Sequence, residues 1–182
     1  MHGFSLGYED ESGISERPVV RRTWSPRGQT PVIASSGSWK SLTMAGLIVC
    51  TPKGNNPKLL FRLQPGAMDK YDIAALLQDV RKELQGRKLL LIWDGLPAHR
   101  ARIVTAYVRS QRRWLRVERY PGYAPELNPV EFLWSTMKTR DLAHIPPKGL
   151  RHLKRTVRKS FRSIQTDAML LKGCLRKAGA LS

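Results

Sequence analysis

The chain has little cysteine and no long apolar run, and each shortage excludes a class of protein. Its two cysteines, Cys50 and Cys174, match neither a disulfide framework nor a zinc-binding pattern, and its four histidines are scattered. The longest apolar stretch, roughly residues 42–50, falls far short of the ~20 residues that cross a bilayer. The amino terminus carries no basic leader followed by an apolar segment. We therefore expect a soluble, cytoplasmic protein with reduced thiols and no membrane partner.

Acidic residues are scarce as well. The chain of 182 residues holds 14 Asp and Glu against 32 Lys and Arg, which gives a net charge of +18 and a pI of 10.7. A pI above about 9 is typical of domains that bind nucleic acid, although membrane surfaces also attract basic chains. Residues 1–100 hold 14 basic and 9 acidic side chains, whereas residues 101–182 hold 18 and 5. The carboxyl-terminal half therefore carries the basic surface.

Strand-like and helix-like patterns alternate along the chain. Apolar runs of strand length predict strands at residues 4–10, 42–50, 59–63, 88–94 and 115–119. Apolar residues at helical spacing predict helices at residues 73–84, 98–113, from 128 and at 150–164. A cap at Asp69 precedes the first of these helices, and the turn residues Ser12 and Gly13 end the first strand. This order predicts an α/β fold with a mixed β-sheet flanked by helices.

Three acidic residues occupy positions where chemistry is expected. Asp10 ends the first strand, Asp94 ends the buried strand at residues 88–94, and Glu131 lies in the first turn of a later helix. Ligands of open α/β sheets bind at the carboxyl ends of buried strands. Converging carboxylates repel each other unless a cation lies between them, and such hard oxygen ligands select Mg²⁺ or Mn²⁺. In a very basic protein, the matching substrate is a phosphodiester, which two metal ions can hold for an in-line displacement.

Each of these acids also has a purely structural interpretation. Asp10 lies in an acidic cluster that could be a solvated turn, and Asp94 precedes Gly95 in a common turn dipeptide. Glu131 lies three residues after Asn128, which is the spacing of a capping box. From spacing alone these alternatives stay open.

Strand alternation separates Asp10 from its acidic neighbours. Leu6, Tyr8 and Asp10 share one face of the first strand, while Glu9 and Glu11 point to the other. This pattern favours Asp10 as the functional acid of the cluster.

Four motifs follow one another in an order seen in a known group of enzymes: YEDESG, TWSPRGQTP, LIWDGLPAHRA and YPGYAPELNPVEFLWSTMK. Together they resemble the catalytic domain of the bacterial transposases of the insertion sequence 630 family, relatives of the mariner transposases. The resemblance runs from about Tyr8 to about Leu142, and the PELNPVEFLW block is its most specific part.

The resemblance implies a ribonuclease H-like fold and a catalytic DDE triad, whose members here are Asp10, Asp94 and Glu131. It further implies that this triad holds two Mg²⁺ (or Mn²⁺) ions. The implied reaction is phosphodiester hydrolysis at the element ends, followed by strand transfer of the freed 3′-hydroxyl into target DNA. His99 matches a histidine of the family; an auxiliary role beside the phosphate or an acid, and simple helix packing, both stay open.

The resemblance also implies the partners. These are double-stranded DNA, comprising the element ends and a target with a TA dinucleotide, and a second copy of the chain in a homodimer on DNA. Mariner-like enzymes carry helix-turn-helix modules before the catalytic domain, and none is recognisable before Phe4. We therefore expect a separately encoded helix-turn-helix half to read the element ends.

The basic surface is predicted to contact DNA. We divide the chain into a catalytic domain over residues 1–147 and a basic helical segment over residues 148–182. Cations cover the exposed side of the helix in that segment and are candidate DNA contacts: Arg151, Lys154, Arg155, Arg158, Lys159 and Arg162. Trp24 and Arg27 are further candidates, for which a plain turn is an equal alternative. Trp134 is expected to lie in the core.

Two other functions remain compatible with the residues. One is a host nuclease or resolvase on the ribonuclease H-like fold, which would cut DNA without joining it. The other is a catalytically inactive, basic DNA-binding remnant, against which the intact triad argues.

Overall fold

A five-stranded mixed sheet forms the centre of the fold. The computed structural model describes residues 3–17, 24–29, 32, 40–122, 124–143 and 149–181. The strands are β1 (Phe4–Ser15), β2 (Ser41–Cys50), β3 (Lys58–Pro65), β4 (Lys88–Trp93) and β5 (Leu115–Arg119). Their order in the sheet is β3-β2-β1-β4-β5. β2 runs antiparallel to both β1 and β3, whereas β4 runs parallel to both β1 and β5. The mixed sheet is the one that the apolar pattern predicts.

In the described part of the chain, five α-helices cover the two faces of the sheet. They are α1 (Lys70–Glu83), α2 (Arg102–Ser110), α3 (Pro129–Thr136), α4 (Leu150–Gln165) and α5 (Ala168–Lys177). On one face, α1 and α2 pack on alternate residues of the strands such as Leu47 and Leu91. On the other face, α3, α4 and α5 pack on Met44 and Ile48. Because successive side chains of a strand point to opposite faces of the sheet, each strand contributes residues to both cores.

The start of α1 follows from its sequence. Asp69 accepts hydrogen bonds from the amides of Tyr71 and Asp72, and the Asp72 side chain accepts one from the Asp69 amide. This reciprocal arrangement is a capping box, and it confirms the predicted cap.

Two predicted boundaries differ from the structure. β1 does not end at a turn around Ser12 and Gly13, because these residues pair with Met44 and Thr43 of β2 and the strand continues to Ser15. The predicted helix at residues 98–113 is shorter: residues 97–100 form turns before α2 begins at Arg102, and α2 ends at Ser110.

The basic carboxyl-terminal helices α4 and α5 share one core with α3 and the sheet. Val157 and Phe161 of α4 and Leu171 of α5 are buried in the same cluster as Trp134 of α3. The predicted division after residue 147 falls within residues 144–148, outside the described residues. Both cysteines are free and buried. No helix in the described part of the chain is long and apolar enough to span a bilayer.

Candidate active site

The sheet itself brings Asp10 and Asp94 together. β1 and β4 are parallel neighbours, with Tyr8 opposite Ile92, so Asp10 and Asp94 lie two residues farther along adjacent strands. A ligand oxygen of Asp10, one of Glu11 and one of Asp94 all lie within 4.8 Å of one another. The predicted convergence of the two aspartates therefore occurs where β4 ends beside β1, although Asp10 itself lies within β1, which continues to Ser15.

Helix α3 reaches this point because a glycine lets it approach the sheet. Asp10 pairs with Gly46 of β2, and a Cβ atom on Gly46 would lie 2.8 Å from the ring of Trp134. The indole Nε1 of Trp134 donates a hydrogen bond of 2.7 Å to Asp10 Oδ2. Trp134 is buried, as predicted, and it also holds a carboxylate of the candidate site.

The three predicted acids line one cavity of about 200 Å³, and the other lining residues are Tyr120, Pro121, Ala124, Pro125 and Asn128. Glu131 is exposed, whereas Asp10 is 9% exposed. The alternative role of Glu131 in a capping box is wrong, because the Asn128 amide donates to the Pro125 carbonyl instead. Asn128 still caps α3 by accepting a hydrogen bond from the Val130 amide. The Glu131 carboxylate is therefore not engaged at the start of the helix.

Asp10 and Asp94 have opposite electrostatic environments. Burial raises the pKa of Asp10 to about 7; the hydrogen bond from Trp134 opposes the rise, and the negative charges of Glu131, Glu11 and Asp94 add to it. Partial burial also acts to raise the pKa of Asp94. Hydrogen bonds from His99 and from the Leu96 amide nevertheless hold it below its usual value. A divalent cation would relieve the repulsion at Asp10 and use the charge of Asp94.

His99 joins acids from two strands. Its Nδ1 lies 2.8 Å from Asp94 Oδ1, and its Nε2 lies 3.1 Å from Glu11 Oε1. The ring is 2% exposed and stacks on Trp93 at a centroid distance of 4.2 Å. Burial disfavours a charged ring, but the hydrogen bonds to Asp94 and Glu11 raise the pKa of His99 to about 10. His99 therefore both packs on Trp93 and contacts the acid Asp94.

Sequence reasoning missed several residues that lie near the predicted acids or contact β1. Glu9 and Glu11 point to the opposite face from Asp10, as alternation predicts, yet they surround His99. Lys138 Nζ donates to Ser12 Oγ at 2.7 Å, which ties the end of the α3 segment to β1. Helical spacing could have found Lys138, because it follows Glu131 by seven residues and so shares its face. Nothing local links Glu9 and Glu11 to a histidine 88 residues from Glu11.

The predicted DNA-contacting residues occupy one side of α4. All six line a single groove of about 470 Å³, opposite the buried stripe of the helix. In the described part of the chain no carboxylate forms an ion pair with any of them. Trp24 is fully exposed and Arg27 lies in a turn, so a contact role and a plain turn remain equal for this segment.

Comparison with known proteins agrees with this geometry. The sequence pattern of the DDE superfamily endonucleases matches residues 5–161. The Tc1 transposase of Caenorhabditis elegans is 30% identical over 143 residues, which cover 75% of this chain and 48% of that protein. The chain thus spans about half the length of this relative.

Solved structures share the fold. The Mos1 mariner paired-end complex with Mn superposes with a TM-score of 0.72 at 18% identity, covering 97% of this chain and 52% of that one. The corresponding Mos1 complex with Mg gives a TM-score of 0.69 at 18% identity, with coverages of 98% and 53%. The predicted ribonuclease H-like α/β fold and the resemblance to mariner-related enzymes are confirmed.

Proposed function

Because the chain belongs to the DDE superfamily endonucleases, we propose that it is the catalytic domain of a DNA transposase. It hydrolyses phosphodiesters at the element ends and then joins the freed 3′-hydroxyl to target DNA. The observation that carries this proposal is the meeting of Asp10, Asp94 and Glu131 in one cavity. A relative named as a transposase and the likeness to a Mos1 strand-transfer complex support it.

The donor set of the cavity fits divalent metal ions. Carboxylates from β1, from the end of β4 and from α3 line it, and hard oxygen donors of this kind suit Mg²⁺ and Mn²⁺. Asp10, Asp94 and Glu131 would hold two such ions, which when bound activate the attacking oxygen and stabilise the leaving oxygen. The Mos1 complexes with Mn and Mg support this choice of metal.

The remaining residues orient the acids. Trp134 holds Asp10 Oδ2, and His99 together with the Leu96 amide holds Asp94 Oδ1, so the second oxygen of Asp94 is left for a ligand. His99 is therefore a positioning residue for Asp94. Asn128 fixes the first turn of α3 and with it the backbone that carries Glu131.

The basic side of α4 binds the phosphate backbone of DNA. Its six cations face solvent without acidic partners in the described residues, so each is available to a phosphate. Phosphate contacts of this kind position a duplex without reading its sequence. The choice of element ends then belongs to a separately encoded helix-turn-helix half, and the TA target preference follows the family.

The functional division of the chain is part of the same proposal. Residues 1–147 carry the reaction, residues 148–182 carry the DNA-binding surface, and two copies act together on two element ends. The reaction takes place in the cytoplasm.

The test is DNA cleavage and joining by the purified chain with Mg²⁺. The substrates are supercoiled plasmid and duplexes ending in the inverted repeats that flank the coding frame. The wild type should nick DNA and join 3′-hydroxyl ends to the plasmid. Asp94→Asn should do neither while binding DNA equally or more tightly, because a neutral amide does not repel phosphates. Asp79→Asn is the matched control, since Asp79 pairs with Arg62 outside the cavity.

The outcome separates the three candidate functions. Cutting without joining would indicate a nuclease, and binding without metal-dependent cutting by the wild type would indicate an inactive remnant. Nicking by Asp94→Asn at the wild-type rate would overturn the assignment of the site.

A further inference from the structure

The most unusual polar group outside the catalytic cavity is Glu9. Its carboxylate is 2% exposed, and neither oxygen has a hydrogen-bond partner in the described part of the chain. Of the four buried side-chain atoms that lack a partner there, three belong to Glu9 and Glu11. Unpartnered buried polar groups are costly, and where they cluster an ion or a bound molecule is a common reason.

His99 turns a ring nitrogen toward these two glutamates. Its Nδ1 faces Asp94 Oδ1 at 2.8 Å, and its Nε2 lies 3.1 Å from Glu11 Oε1 and 3.8 Å from Glu9 Oε2. A hydrogen bond from Nδ1–H to a carboxylate holds the ring, and a metal ion on Nε2 would replace the proton that this nitrogen now donates to Glu11. The arrangement of Asp94 and His99 is thus the one that orients a metal-binding imidazole.

The distances suit one small cation. A ligand atom of Glu9, one of Glu11 and one of His99 all lie within 4.8 Å of one another. Ligands bound at about 2.0–2.2 Å around one ion lie roughly 3–3.5 Å apart, which is close to the separations that Nε2 makes here. The two glutamates are two residues apart on one strand face, so β1 itself holds them on the same side of the ring.

We propose that Glu9, Glu11 and His99 form a second cation site, behind the catalytic cavity, that takes a transition metal such as Zn²⁺. An imidazole nitrogen among the ligands favours zinc-like ions over Mg²⁺, which prefers oxygen alone. The site does not use Asp10, Asp94 or Glu131 as ligands, although His99 donates a hydrogen bond to Asp94 and a Glu11 oxygen lies within 4.8 Å of oxygens of Asp10 and Asp94. Because the two sites have different ligands, cation binding here can be measured apart from the proposed transposase activity.

The test titrates the metal-free full chain with Co²⁺, a visible-light reporter for zinc sites, in excess Mg²⁺ that fills the oxygen-only positions. We expect about one equivalent of Co²⁺ to bind with the absorption of a nitrogen-ligated ion, and Zn²⁺ to displace it. Glu9→Gln and His99→Gln should each lower the Zn²⁺ affinity by roughly 100-fold or more, the upper end of what loss of a supporting contact costs. Melting by circular dichroism checks that both variants fold.

Two controls make the result decisive. Glu118→Gln, an exposed change on β5, should keep the cobalt spectrum. The double variant Asp10→Asn with Glu131→Gln should keep it as well, because it damages only the catalytic cavity. Absence of nitrogen-ligated cobalt in the wild type would overturn the proposal, whether or not the variants fold. A spectrum unchanged by Glu9→Gln, or one lost in the double variant, would also overturn it.

Discussion

Folding shifts the pKa values of two groups of carboxylates in this protein in opposite directions. Burial is the main reason why the pKa values of Glu9 and Asp10, beside the candidate site, lie above their usual range. At the start of α1, hydrogen bonds from the Asp69 amide and from Gln64 hold the pKa of Asp72 below its usual value. The first group is destabilised in its charged form, and the second is stabilised.

The difference separates two buried acids beside the candidate site from an acid that caps a helix, while Asp94 at the same site has a lowered pKa because His99 and the Leu96 amide donate to it. An acid with a raised pKa destabilises the folded state once the pH exceeds its unfolded value, and an acid with a lowered pKa does the opposite. The charged forms of Glu9 and Asp10 therefore carry a folding cost, which fits residues that hold negative charge for a bound cation rather than for stability. Replacing one member of each group by its neutral amide should then change the melting temperature in opposite directions.

The largest effect should come from Asp10→Asn. The amide keeps an oxygen that accepts the hydrogen bond from Trp134, but it lacks the charge that a divalent cation requires. We expect Mg²⁺-dependent cleavage to fall by several orders of magnitude. At pH 8 without metal, the variant should melt at the same temperature as the wild type or higher, because a buried charge has been removed. Cleavage rates and calorimetric melting measure the two quantities. A clearly lower melting temperature in metal-free buffer would place Asp10 with the stabilising acids.

The next effect concerns the cations that face DNA. Changing Lys154, Arg158 and Arg162 together to Gln should weaken binding to every duplex sequence alike. The slope of log K against log salt should shrink by up to ~0.9 per lost phosphate contact. Fluorescence anisotropy at several salt concentrations measures both affinity and slope.

A triple Gln variant at Lys53, Lys82 and Arg87 removes the same charge elsewhere and controls for the overall field. Equal slopes in the two triple variants would show that the α4 surface is no more than a solvated face. A loss confined to particular sequences would show that α4 reads bases.

The smallest effect should come from Asp72→Asn. At neutral pH the variant should melt about 2–4 °C lower, since a charged capping acid contributes up to ~1 kcal/mol. The pKa of Asp72 is lowered in the folded state, so its stabilisation is present above the unfolded value and is lost as the pH falls through the folded one. The difference between variant and wild type should therefore shrink below about pH 4. Cleavage activity should not change, and a loss of activity would mean that α1 helps to shape the site.

Local signals in the sequence are sufficient for many parts of this fold. The apolar run before Asp94 predicts β4, because a strand covered on both faces needs apolar residues throughout. The cap at Asp69 is a contact between near neighbours, so its residue types suffice to predict it. The resemblance to a known family adds the functional reading of Asp10, Asp94 and Glu131.

Features that depend on distant pairing could not be predicted. The turn signal of Ser12 and Gly13 is overridden because β2 offers a continuous antiparallel partner. The spacing of Asn128 and Glu131 suits a capping box, but a 3₁₀ turn before Asn128 supplies the Pro125 carbonyl to its amide first. The surroundings of His99 arise only when two strands become neighbours.

The central claim is that Glu131 acts through its negative charge in the catalytic cavity, and one paired measurement tests it most directly. Mg²⁺-dependent cleavage and melting temperature are compared for Glu131→Gln and for Glu126→Gln, an exposed change five residues earlier. Both variants should melt within a few degrees of the wild type, because neither carboxylate caps a helix in the structure. Glu131→Gln should lose cleavage and strand transfer by orders of magnitude, while Glu126→Gln should keep both. A stable Glu131→Gln that cleaves normally, beside an inactive Glu126→Gln, would contradict the account and move the third acid to Glu126.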